Sequence, residues 1–188
     1  MGFKKLFWGF IFFFDFRIGG IDLLPDIIAY ILFYQGLRIL ADRNERFGKA
    51  KAIAFPLIFV SLLDIYQVSI PFDQIGNISM SLVAMIAGFG LLIINVVMIY
   101  QVCIGIAEEA GKLNNSSLES KAISRWKIYL VSNVLIFITI IGVAFPGLVV
   151  LLALGVMILS IVSYFLMLGL IKTAADELEG NVSQSLTM

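Results

Sequence analysis

The sequence predicts an all-α fold, a polytopic transmembrane helical bundle of six membrane segments, or of five plus a re-entrant helix. Three observations carry this expectation. Of the 188 residues, 61% are apolar and only 14% charged, whereas soluble domains run at roughly 45–50% and about 25%. Too few polar side chains remain to clothe a water-facing surface. The apolar residues fall in long runs that lack the alternation of barrel strands. The basic residues collect in alternate connections between those runs.

The first run, Lys5 to Ile18, is short and carries Asp15 and Arg17. A membrane helix needs roughly 17–25 apolar residues, so this run is either a tilted crossing or a re-entrant helix packed on the next. Its basic start resembles a signal peptide, but no small-residue cleavage site closes it, and it reads as a retained segment. The second run, Leu23 to Leu40, opens with Asp22 as the expected cap and Pro25 in the first turn, where a missing N–H does little harm. Ala52 to Ile65 is the third, with Asp64 near its end. Met80 to Ile106 is the strongest candidate, uncharged throughout, with Asn95 and Gln101 as its large polar side chains. Ile128 to Phe145 and Leu148 to Ile171 follow, separated by the turn pair Pro146-Gly147. Residues 1–172 thus form one transmembrane helical domain, and 173–188 a polar cytoplasmic tail.

Orientation follows from Lys and Arg in the connections. With six crossings, twelve of the thirteen basic residues fall on one side, and Arg17 alone on the other. That side is expected to be the cytoplasm, with both termini inside. In the connection before the fifth run, Ser116-x-x-Glu119 fits a capping box. Trp126 and Tyr129 then lie at helical spacing, either in a short interfacial helix or in the first turns of the fifth crossing.

The stretch from Phe14 to Tyr30 concentrates ionisable groups within an apolar region. Charge at membrane depth is costly and raises a functional hypothesis by default. Asp15, Arg17, Asp22, Asp26 and Asp64 form the candidate cluster, with Asp22 and Asp26 one helical turn apart and Asp73 in the outer loop. Neighbouring carboxylates raise each other's pKa and suit a cation site or a proton carrier. The same groups also suit a structural role, in which Arg17 pairs with Asp15 or Asp22 to lock a hairpin. Ala84 and Gly88, with Gly90 nearby, are spaced for a close helix contact. Asn95 is placed to hydrogen-bond a neighbouring helix or backbone, and Cys103 to fill space as a small apolar residue.

There is no His, no Cys pair and no metal-ligand spacing in the sequence. No nucleotide loop, nucleophile–base arrangement or basic groove for nucleic acid is recognisable. The expectation is therefore a non-enzymatic protein without cofactor or bound metal. Its partners are the lipid bilayer and a membrane protein or a second copy of itself. An accessory, scaffold or regulatory role comes first, and a small transporter or channel using the outer carboxylates is the alternative.

The stretch Asp15-Phe-Arg-Ile-Gly-Gly-Ile-Asp-Leu-Leu-Pro-Asp-Ile-Ile-Ala-Tyr30 resembles the opening of a family of small, uncharacterised multi-pass membrane proteins of Gram-positive bacteria. The resemblance covers about the first 45 residues and implies a bacterial plasma-membrane location without implying an activity. Where similar stretches carry Gly before the Tyr, this chain has Ala29, at some cost in close-packing capacity.

Overall fold

The computed structural model describes the backbone of residues 1–13, 17–18, 21–22, 26–65, 78–141 and 146–180, and the side chains of 1–13, 27–61, 86–139 and 152–180. Helix α1 spans Gly2–Phe12. Strands β1 (Arg17–Ile18) and β2 (Ile21–Asp22) pair antiparallel. Then come α2 (Asp26–Leu40), α3 (Glu45–Ile65), α4 (Ile78–Lys112), α5 (Ser116–Ile141) and α6 (Pro146–Ala174), which runs on into a π-helical turn, Ala175–Glu179. Each helix packs on its successor, and α1 packs on α6, so the helices close into a ring. Ile86–Lys112, Ser116–Thr139 and Leu152–Glu179 are long and apolar enough to cross a membrane. The protein is thus an all-α polytopic bundle.

The first segment is shorter than its apolar run. At 11 residues, α1 is about 16 Å long, and α2, at 15 residues, about 22 Å, against a hydrocarbon core of about 30 Å. Asp22 is not a helix cap: it lies on β2, and α2 begins at Asp26. The hairpin pairing leaves only Gly19 and Gly20 between Ile18 and Ile21, a favoured composition for a two-residue loop.

One end of the bundle is closely knit, and its caps come from Asn. At the start of α3, Asn44 Oδ1 accepts the Arg46 backbone N–H at 2.8 Å. At the start of α5, Asn115 Oδ1 accepts that of Leu118 at 3.1 Å. The cap expected from Ser116 therefore falls one residue earlier, with Ser116 as the first helical residue. Helix α4 ends in a Schellman motif: Asn114 takes φ 54°, and the N–H groups of Asn115 and Asn114 bond to the Ala110 and Gly111 carbonyls. Three residues therefore suffice to turn α4 into α5. Helix α5 is continuous through Trp126 and Tyr129, which belong to the crossing helix rather than to a separate interfacial one.

These turns are bonded to each other and to the chain ends. Asn44 Nδ2 donates to Glu108 at 3.0 Å, and Arg46 pairs with the same carboxylate at 3.0 Å. Lys112 joins Glu109, Arg43 donates to the Leu178 carbonyl, and Asn115 donates to Glu177. Glu179 lies 3.3 Å from the Met1 amino group and accepts the Phe3 N–H at 3.0 Å. The carboxylate thus sits at the positive end of α1 and satisfies one of its unpaired donors. The opening residues of the polar tail, Thr173 to Gly180, are accordingly helical and packed. The chain starts and returns at the same end, and Phe3, Phe47, Ile106 and Leu170 are among the largest fully buried side chains.

Close helix contacts lie away from Gly88 and Gly90, while the side chain of Ala84 lies outside the described residues. A Cβ at Gly88 or Gly90 would meet nothing within 4 Å. A Cβ at Gly36 would fall 2.8 Å from the Gly2 carbonyl oxygen, and one at Gly9 3.0 Å from that of Ala29. Helices α1 and α2 therefore touch backbone to backbone. Further toward the far end, α4, α5 and α6 expose Ile86, Ile93, Val134, Ile138, Leu154 and Ile158, a surface suited to hydrocarbon.

Candidate functional site

Helix α1 stops inside the bundle, and its C-terminal carbonyls need donors where water is scarce. The chain supplies one from its other end. The Tyr164 hydroxyl on α6 donates to the Phe10 carbonyl at 2.9 Å, with Ile11 O at 3.4 Å. Phe13 N–H bonds back to Gly9 and Phe10 at 3.2 Å each. The Phe13 ring then stands edge-on to Tyr30, centroids 4.8 Å apart, and Phe10 lies 5.8 Å from Tyr164.

Beside this broken helix end is a cavity of about 380 Å³, within the range typical of small-molecule sites, roughly 300–1,000 Å³. Phe10 and Phe13 of α1, Tyr30 of α2, Leu92, Asn95 and Ile99 of α4, Tyr129 and Asn133 of α5, and Tyr164 of α6 line it. The lining carries no charge. Its polar groups are three phenols and two carboxamides. The Tyr30 hydroxyl donates to Asn95 Oδ1 at 3.0 Å, while Asn95 Nδ2 donates to the Leu91 carbonyl at 3.2 Å. Asn133 Nδ2 donates to the Tyr129 carbonyl at 2.8 Å. Each carboxamide is held by its own helix one turn back, and Asn95 also accepts from the neighbouring α2.

Three of these groups share a spacing from basic residues. Tyr30, Asn133 and Tyr164 each lie eight residues along a helix from a basic residue, Arg38, Arg125 and Lys172 respectively. At 1.5 Å per residue this is about 12 Å, close to the middle of a hydrocarbon core about 30 Å thick. The site is therefore a set of hydrogen-bonding groups walled by aromatic and aliphatic side chains.

None of the carboxylate candidates is among the residues that line this cavity. The hairpin register sets Arg17 against Asp22. Asp26 is the first residue of α2, and Asp64 the last but one of α3. Asp15 and Asp73 lie outside the described residues, as do the side chains of the other four. Asn95 does bond across to another helix, as its mid-helix position implies. Cys103 is buried, its Sγ 4.0 Å from Met167 Sδ, as a packing residue. Sequence reasoning did not join Tyr30, Tyr129, Asn133 and Tyr164 to Asn95. The signal available was the eight-residue offset of Tyr30, Asn133 and Tyr164 from Arg38, Arg125 and Lys172, which neither Asn95 nor Tyr129 shares with those basic residues. No family model, curated protein or solved structure matches this chain.

Proposed function

We propose that this multi-span membrane protein is an accessory or regulatory protein that works by binding, and that its mid-membrane cavity holds a small uncharged amphipathic molecule. The carrying observation is the convergence of Tyr30, Asn95, Tyr129, Asn133 and Tyr164 on one charge-free cavity beside the end of α1. Apolar walls with a few placed polar groups are the usual composition of a ligand site. An uncharged ligand is favoured because a bare ion would pay its desolvation with no opposite charge in the lining. Broken helices at membrane depth recur where a binding site is built, since irregular backbone there must face protein or a cavity. Catalysis and a cofactor form no part of this reading.

The location is a bacterial plasma membrane with both termini cytoplasmic. The single-sided basic residues support the orientation, and the contact of Met1 with Glu179 supports an even number of passages. In this reading α1, the hairpin and α2 make one excursion from the cytoplasmic face, and α3 to α6 make four crossings. Transport through the outer carboxylates is the weaker alternative. The register of Arg17 with Asp22 supports charge compensation within the hairpin instead.

The test uses Leu92→Trp, which fills the cavity and leaves its hydrogen-bonding groups intact. Small molecules retained by the purified wild-type protein and by the variant are compared by mass spectrometry. An uncharged amphipath retained by the wild type and lost from an equally stable variant is the expected result. Equal retention by both, or none by the wild type, overturns the proposal.

A further inference from the structure

The α5–α6 contact holds a cation, Arg125, that forms no ion pair among the described residues. The Arg125 guanidinium lies flat on Gly169, where a Cβ would come within 3.5 Å of Nη1 and 3.9 Å of Nη2. The side chain of Arg125 thus reaches the backbone of α6 at Gly169, at ordinary contact distance. Nη1 is buried and has no hydrogen-bond partner among the described residues. A buried donor on a charged group is costly unless the charge is compensated nearby. The rest of Arg125 is partly exposed, so one edge of the guanidinium remains reachable.

Two more cations lie within about one turn along the same two helices. Lys121 lies one turn before Arg125 on α5, and Lys172 just under one turn beyond Gly169 on α6. Both are exposed, and neither forms an ion pair among the described residues, although Asp176 follows Lys172 by four positions. The level is that of the membrane surface. Trp126, next to Arg125, packs on Tyr100 with centroids 5.0 Å apart, and Trp and Tyr favour the headgroup layer. Toward the hydrocarbon, Phe165 and Val162 share the face of Gly169 and are exposed.

Positive charge at the headgroup level above an apolar helix face matches one ligand chemistry, a phosphate carrying acyl chains. We infer that the α5–α6 groove at Gly169 is a binding site for an anionic phospholipid. Arg125, Lys121 and Lys172 hold the phosphate, and the acyl chains run over Phe165 and Val162. Arg is suited to phosphate through paired N–H donors, and basic grooves between membrane helices recur as sites for anionic headgroups. The inference is independent of the mid-membrane cavity.

Thermal unfolding of the full chain in neutral detergent tests this. Three additives are titrated: phosphatidylglycerol, phosphatidylcholine of the same chains, and inorganic phosphate. Phosphatidylglycerol is expected to raise the Tm, and the other two to leave it unchanged. In Arg125→Gln the apparent affinity for phosphatidylglycerol falls about tenfold or more, whatever the variant's own Tm. Should that variant fail to fold, Lys172→Gln, at an exposed position, gives the same test with a smaller loss of about threefold. An equal gain from phosphatidylcholine, a gain from inorganic phosphate alone, or an undiminished gain in the folded variants each overturns the inference.

Discussion

The phenol of Tyr30 on α2 and the carboxamide of Asn95 on α4, 65 residues apart in the chain, meet in a hydrogen bond of 3.0 Å at membrane depth. Such bonds are modest in membranes, about 0.6 kcal/mol on average and up to about 1.7. A double-mutant cycle of Tyr30→Phe and Asn95→Leu in reversible unfolding isolates the pair from other contacts of either residue. The expected coupling is about 0.5–1.5 kcal/mol. A coupling of zero refutes the bond.

Tyr164→Phe removes the donor that α6 supplies to the end of α1. The Phe10 carbonyl then loses the donor from α6, and the last turn of α1 frays. Loss of about 1–2 kcal/mol is expected, with faster hydrogen exchange at the amides of Gly9 to Phe13. Unchanged exchange there would show that Tyr164 does not cap the helix.

Gly36→Ala forces a Cβ to within 2.8 Å of the Gly2 carbonyl oxygen, a backbone atom that moves only with its helix. Overpacking of this kind costs about 1–3 kcal/mol. Gly88→Ala meets nothing within 4 Å and gains up to about 1 kcal/mol from helix propensity. Chemical denaturation of the two variants should therefore move in opposite directions, and destabilisation by Gly88→Ala would contradict the packing described.

Asn115→Ala removes the cap of α5 and the hydrogen bond to Glu177. A loss of about 1–2 kcal/mol follows. Ser116→Ala, one position into the helix, should change stability by less than about 0.5 kcal/mol. The reverse ranking in thermal unfolding would restore Ser116 as the cap.

Topology is open to single-cysteine labelling in intact cells after Cys103→Ala. Asp42 and Ser117 are exposed at the basic end, whereas Asn44 is buried and hydrogen-bonded. Cysteines at positions 42 and 117 should resist an impermeant reagent, and one at Asn77 should react. Labelling at 42 or 117 from outside inverts the assignment.

The sequence by itself determined that this is a helical membrane protein and where most of its apolar segments fall. Composition and run length report the solvent directly, and hydrocarbon admits few backbone solutions. It also placed Asn95 in an interhelical hydrogen bond, Cys103 in the packing, and the basic belt on one side. Helix faces were another matter. Lipid tails are as apolar as a Leu, so a residue facing a partner helix and one facing lipid look alike in a sequence. Thus Gly88 was indistinguishable from Gly36, yet one stands at an open surface and the other against a backbone. Asp22 was as good a cap by type as Asn44, yet the pairing of Arg17–Ile18 with Ile21–Asp22 carries it into a strand. The meeting of Tyr30, Asn95, Tyr129, Asn133 and Tyr164 required the ring of helices to close. Their hydrogen bonds depend on the depth and rotation of each helix, which packing fixes and local sequence does not.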